Sequence, residues 1–230
     1  MKFIQNNGFY NIIHTMKYQT RGILSLISGC LIHTAFGGVY TLGAITPYIA
    51  SYLKYSGNPD IKVVDISINY PLLMITWSIG IILSMLKLQN YFSLKQLVFI
   101  GMIGYCSSVL IASFMDNQWT FSLFYGFFFG FLIGIAYMAP FKNTYSYFPD
   151  RKGLCSGVCT IGYGIGAFVY NQLFLLLINP ENKPANEDHF FPKDVAMNFP
   201  FALRIMAGIY AIVGLTGCFL FFENKEGITK

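Results

Sequence analysis

Charge is what this chain has least of. Lys, Arg, Asp and Glu make up 11% of its 230 residues, against about 25% in an ordinary water-soluble domain. That shortage excludes a soluble globule. Histidine is scarce too, with three in the chain. Cys155 and Cys159 share a helix face four residues apart, but no His or acid accompanies them, so neither a metal nor any other cofactor is expected. All five cysteines fall inside apolar runs, where they read as small packing residues. The chain has no sequon for N-glycosylation and no glycine-rich phosphate loop following a strand. The run Gly153-Leu-Cys-Ser156-Gly157 is out of register with the Gly-x-Ser-Gly of intramembrane serine proteases, and the later apolar runs hold no histidine to act as base. No enzyme is expected.

What fills the chain instead is apolar, with 55% hydrophobic residues and a mean hydropathy of +0.53. A bilayer's hydrocarbon core is about 30 Å thick, so each helical crossing takes roughly 20 mostly apolar residues. Six runs meet that need: 23–52, 70–86, 97–115, 119–141, 154–178 and 201–222. Apart from Arg204 they contain no Asp, Glu, Lys or Arg. Their continuity excludes the alternating ten-residue strands of a membrane barrel. The expected fold is all-α, a bundle of six transmembrane helices in a lipid bilayer. Residues 1–22 form an N-terminal segment, 23–222 the bundle, with loops 54–69 and 179–200, and 223–230 a short tail.

Orientation follows from where Lys and Arg lie. With both ends on the cytoplasmic side, or the matrix side of a mitochondrial inner membrane, inner segments hold ten of the fifteen basic residues and outer segments hold seven of the ten acidic ones. The net charge of +5 is therefore a topology signal, and nucleic-acid binding is not expected. Whether the membrane is the plasma membrane or the mitochondrial inner membrane stays open. Lys142 is expected to snorkel to the inner surface, Arg151 and Lys152 to bridge to Asp150 or to helix ends, and Arg204 to meet a headgroup or a loop acid.

Glycine is abundant inside the apolar runs. Gly126, Gly130 and Gly134 recur every four residues on one helix face, and Gly157, Gly162 and Gly166 recur less regularly on the next helix. Such faces let helix backbones approach closely, as a bundle whose helices slide or rock requires.

The segment GFLIGIAYMAPFKNTYSYFPDRKGLCSGVCTIGYGIGAF resembles major facilitator superfamily transporters of the oxalate/formate exchanger and monocarboxylate transporter group. The likeness rests on Gly130, Gly134, Tyr137, then Phe148, Pro149, Asp150, Arg151, Lys152, Gly153 and Leu154, then the second glycine-rich helix. The opening run GGVYTLGAITPYIASYL is similar to the group's first helix through Gly38, Tyr40 and Pro47. The segment LSMLKLQNYFSLKQ keeps Lys87 and Lys95 but lacks the Gly and Asp that such transporters carry between their second and third helices. The resemblance implies one six-helix half of a twelve-helix carrier, working with a second helical bundle around a small organic anion. It implies that Tyr40 and Tyr137 line the substrate site, and His33, near mid-membrane, is the ionisable candidate beside them. The competing expectation is a non-transporting accessory subunit of a larger membrane assembly.

Overall fold

A computed structural model describes residues 5–224 and Gly227, with side chains from Lys17 onward. Helix α1 (Gln5–Phe36) passes through a 3-10 turn (Gly37–Thr41) into α2 (Leu42–Ser56). A one-turn helix α3 (Val63–Ile66) precedes α4 (Asn69–Leu86), and α5 is Leu94–Ala112. The short α6 (Gln118–Ser122) runs through a π-helical stretch (Leu123–Phe128) into α7 (Phe129–Tyr147). After a 3-10 turn at Pro149–Arg151 come α8 (Lys152–Ile178), the one-turn α9 (Lys193–Ala196) and α10 (Phe199–Phe219). Among the described residues there is no strand, and six helical spans are long and apolar enough to cross a membrane.

Span edges move from their expected places for local reasons. Helix α1 starts at Gln5, ahead of the hydropathy limit at Ile23, because polar residues continue a helix readily once it leaves the bilayer. Helix α5 starts at Leu94, where Ser93 Oγ accepts a hydrogen bond from the Gln96 amide and Gln96 Oε1 accepts one from the Ser93 amide. Helix α7 runs through Pro140 to Tyr147, past the expected end at Phe141. Lys2, Lys225, Glu226 and Lys230, all counted above for orientation, lie outside the described residues.

The environment is written into α4. Its buried face is Asn69, Leu73, Thr76, Gly80 and Ser84, while Ile75, Ile79, Ile82, Met85 and Leu86 point outward. A helix in water would invert that pattern. Here the small and polar residues make the helix contacts and the branched aliphatics meet lipid.

Glycine permits the closest contacts. A Cβ at Gly130 would meet the Leu73 carbonyl, and one at Gly134 the Trp77 carbonyl, so α7 lies backbone to backbone on α4. Ser84 closes this seam by donating to the Ile135 carbonyl at 2.7 Å. The α1–α8 seam is built alike, with Gly162 against the Cys30 carbonyl and Gly166 against the Thr34 carbonyl. Helix α7 also packs on α5 and α1, and α10 closes the bundle against α1 and α5.

The chain leaving α10 is held as a strap across one end. Ser25 and Asn143 both donate to the Phe222 carbonyl, at 2.8 and 2.9 Å. The Phe222 amide donates back to Ser25 Oγ at 3.2 Å, and the Asn224 amide to Asn143 Oδ1 at 3.0 Å. Glu223 accepts the free Leu94 amide at the start of α5, at 3.0 Å.

At the other end Arg204 has a different role from the expected headgroup or acid contact. Its guanidinium donates to Ser113 Oγ and the Ser113 carbonyl, at 3.2 and 3.3 Å, and lies 4.1 Å from the Phe114 ring centre. It caps the carboxyl end of α5, whose last carbonyls lack helical partners. Ion pairs among the described residues are those of Lys183, with Glu181 at 3.0 Å and with Asp194. Asp194 first and Glu181 second hold the Lys183 ammonium above the ordinary lysine range.

Candidate functional site

His33 is fully buried on α1, between α7 and α8. Its Nδ1 lies 2.8 Å from the Gly29 carbonyl. A carbonyl only accepts, so Nδ1 carries the hydrogen there. In the neutral ring Nε2 is then an acceptor. It has no hydrogen-bond partner, although the Tyr137 carbonyl also faces the ring.

Aromatic rings enclose the imidazole. Phe141 lies 4.6 Å from it centre to centre, Tyr137 5.1 Å and Tyr163 6.5 Å. Trp77 of α4 joins the group, 5.1 Å from Tyr137 and 6.1 Å from Tyr163. The Trp77 indole N–H and the Tyr163 hydroxyl are buried and, like His33 Nε2, have no partner. The cluster thus offers a donor that can only donate, an acceptor, and a hydroxyl able to do either. Leaving each such group without a partner costs about 1–3 kcal/mol.

The sequence-selected residues fall into three groups. His33 and Tyr137 are brought together as described. Tyr40 lies at the edge of the same cluster, on the 3-10 turn at Gly37–Thr41, 53% exposed and edge-on to Tyr163 at 5.1 Å. The glycines divide as well. Gly126 meets the Leu72 and Asn69 side chains, since the π-helical stretch shifts its register against α4, while Gly130, Gly134, Gly162 and Gly166 meet backbone. Gly157 faces outward with nothing within 4 Å of a Cβ. Asp150, Arg151, Lys152 and Gly153 are exposed at the α7–α8 turn. Lys142 donates to Gln89 Oε1 at 2.6 Å, tying α7 to the segment after α4.

Trp77 and Tyr163 escaped sequence reasoning. Both carry a polar atom on an aromatic ring inside an apolar run, and only their convergence with His33 distinguishes them. Among the described residues no three His, Cys, Asp or Glu side chains gather as a metal ion would need.

No family model matches the chain. It is 25% identical over 193 residues to apicoplast pyruvate carrier 1 of Toxoplasma gondii, covering 69% of this chain and 35% of that protein. Over 164 residues it is 28% identical to YhjX, an uncharacterized MFS-type transporter of Escherichia coli strain K12, covering 68% of this chain and 38% of that protein. A shorter stretch of 70 residues is 33% identical to monocarboxylate transporter 9 of Pongo abelii, 30% of this chain and 14% of that protein. The chain spans little more than a third of the length of the first two. At low identity, then, this multi-pass helical bundle is similar to membrane transporters of the major facilitator type.

Proposed function

We propose that this bundle is one six-helix half of a major facilitator-type carrier for small carboxylates, and that it works against a second bundle. The ligand binds where α1, α4, α7 and α8 meet, with Trp77 donating to a carboxylate oxygen, Tyr163 and Tyr137 beside it, and His33 accepting from a donor on the ligand or from water. Both chain ends face the cytoplasm or the matrix. Residues 23–222 are the moving unit. Alternating access then consists of two bundles rocking around a site near the midplane.

The observation that supports this reading is the grouping of three rings that each carry a buried polar atom without a partner, those of His33, Trp77 and Tyr163. Buried polar atoms in a bilayer-spanning bundle normally find partners. The names of the distant relatives support the carboxylate class, since two of them are called a pyruvate carrier and a monocarboxylate transporter. None of the grouped side chains is a fixed cation. A carboxylate in a dry site needs one, or several donors; the Trp77 and Tyr163 donors make a weak site by themselves, and the second bundle supplies the fixed charge that transport needs.

Exchange of labelled oxalate, formate, lactate and pyruvate tests this in liposomes holding the purified chain alone. No saturable exchange is expected. Exchange that disappears on replacing His33 would overturn the two-bundle reading in favour of a self-sufficient assembly of this chain.

A further inference from the structure

At the end of the bundle that carries the strap, a cavity of about 340 Å³ opens between α1 and α7, lined by Tyr18, Gln19, Gly22, Tyr147 and Phe148. Gly22 makes the room, since a Cβ there would come within 2.9 Å of the Phe148 ring and 3.2 Å of the Tyr147 ring. The walls are built and held. Tyr18 donates to the Ser146 carbonyl at 3.3 Å and accepts from Asn224 Nδ2 at 3.1 Å, while Asn224 also donates to that carbonyl at 3.0 Å. The Tyr18 and Tyr147 rings lie 5.1 Å apart.

The cavity sits just ahead of the apolar run that opens at Ile23 and beside the end of the fourth span, at Tyr147. That is the level of the bilayer interface, where tyrosines concentrate. Its rim is cationic. Arg21 lies within electrostatic reach of the Tyr147 hydroxyl, and Lys17 precedes it by one helical turn. Arg151 and Lys152 follow Phe148 at the same end, and all four cations are exposed, with Asp150 the acid among them.

We propose that this cavity holds an anionic phospholipid. The glycerol and upper acyl chain lie against the aromatic walls, and the phosphate meets Arg21 and Lys17. A zwitterionic lipid offers the same apolar stem without the net charge, and free phosphate offers the charge without the stem. An occupant of this kind bridges α1, α7 and the strap, and so stabilises the joint on which all three converge.

The test uses the full chain, purified in neutral detergent, with its melting midpoint followed as lipid is added. Phosphatidylglycerol is expected to raise the midpoint saturably, and phosphatidylcholine of the same chains and sodium phosphate to leave it unchanged. Arg21→Gln, an exposed substitution, is expected to weaken the phosphatidylglycerol effect about fivefold, as loss of one basic residue near an anionic headgroup implies. Gly22→Ala narrows the cavity and is expected to weaken it further. A shift of equal size with phosphatidylcholine would overturn the proposal, as would one reproduced by phosphate. Unchanged affinity in Arg21→Gln would do the same.

Discussion

At the strap, Ser25 and Asn143 donate to the Phe222 carbonyl and accept from the Phe222 and Asn224 amides, so each polar group there has a partner. In the middle of the bundle, His33, Trp77 and Tyr163 bring polar atoms equally deep into the protein and leave them unpaired. Both groups sit among apolar walls, and both draw on α1. A satisfied network holds helices together, and under the proposed function a bound ligand would offset the cost of the unsatisfied one.

The comparison breaks most sharply if helix approach itself is disturbed. Gly130→Leu drives a side chain into the Leu73 carbonyl and the Thr76 hydroxyl. Loss of folded, monodisperse protein is expected by size-exclusion chromatography, and normal yield would show that the α4–α7 seam does not depend on backbone contact. Next comes Asn143→Ala, which strands the buried Asn224 amide and withdraws one of two donors from Phe222. A loss of about 2 kcal/mol or more is expected, read as a lower melting midpoint.

The mid-bundle cluster should answer in the opposite sense. Trp77→Phe and His33→Leu each remove an unpartnered polar atom, so stability should stay within about 1 kcal/mol of the parent or rise. A large loss at either position would mean that the cluster holds the fold, as the strap does. Smallest of all is Gly164→Ala. Nothing lies within 4 Å of a Cβ there, and helix propensity favours alanine by up to about 1 kcal/mol. A melting midpoint that is unchanged or slightly raised is expected, and a marked drop would place an unseen neighbour on that face of α8.

Much of the bundle was legible in the sequence because the bilayer imposes simple rules. Each span announced itself as an apolar run free of charge but for Arg204, and four-residue glycine spacing marked the α7 face that lies on α4. Local departures from the ideal helix were not legible. The 3-10 turn at Gly37–Thr41 leaves Tyr40 half exposed beside Tyr163, and the π-helical stretch at Leu123–Phe128 puts Gly126 against side chains instead of backbone. Neither departure changes hydropathy, which is the property the reading relied on. Tertiary partners were hidden for the same reason. Arg204 found the end of α5, and Trp77 with Tyr163 joined His33, through contacts between residues far apart in the chain.

Trp77 gives the central claim its own reporter. The other tryptophan, Trp119, is 71% exposed on α6, so Trp119→Phe leaves the fluorescence to the site. With purified protein in lipid nanodiscs, titration with pyruvate or lactate is expected to change Trp77 emission saturably, and chloride at equal ionic strength to leave it unchanged. Tyr163→Phe should weaken the response. A change linear in concentration and matched by chloride would contradict the assignment of the unpartnered atoms to a carboxylate ligand.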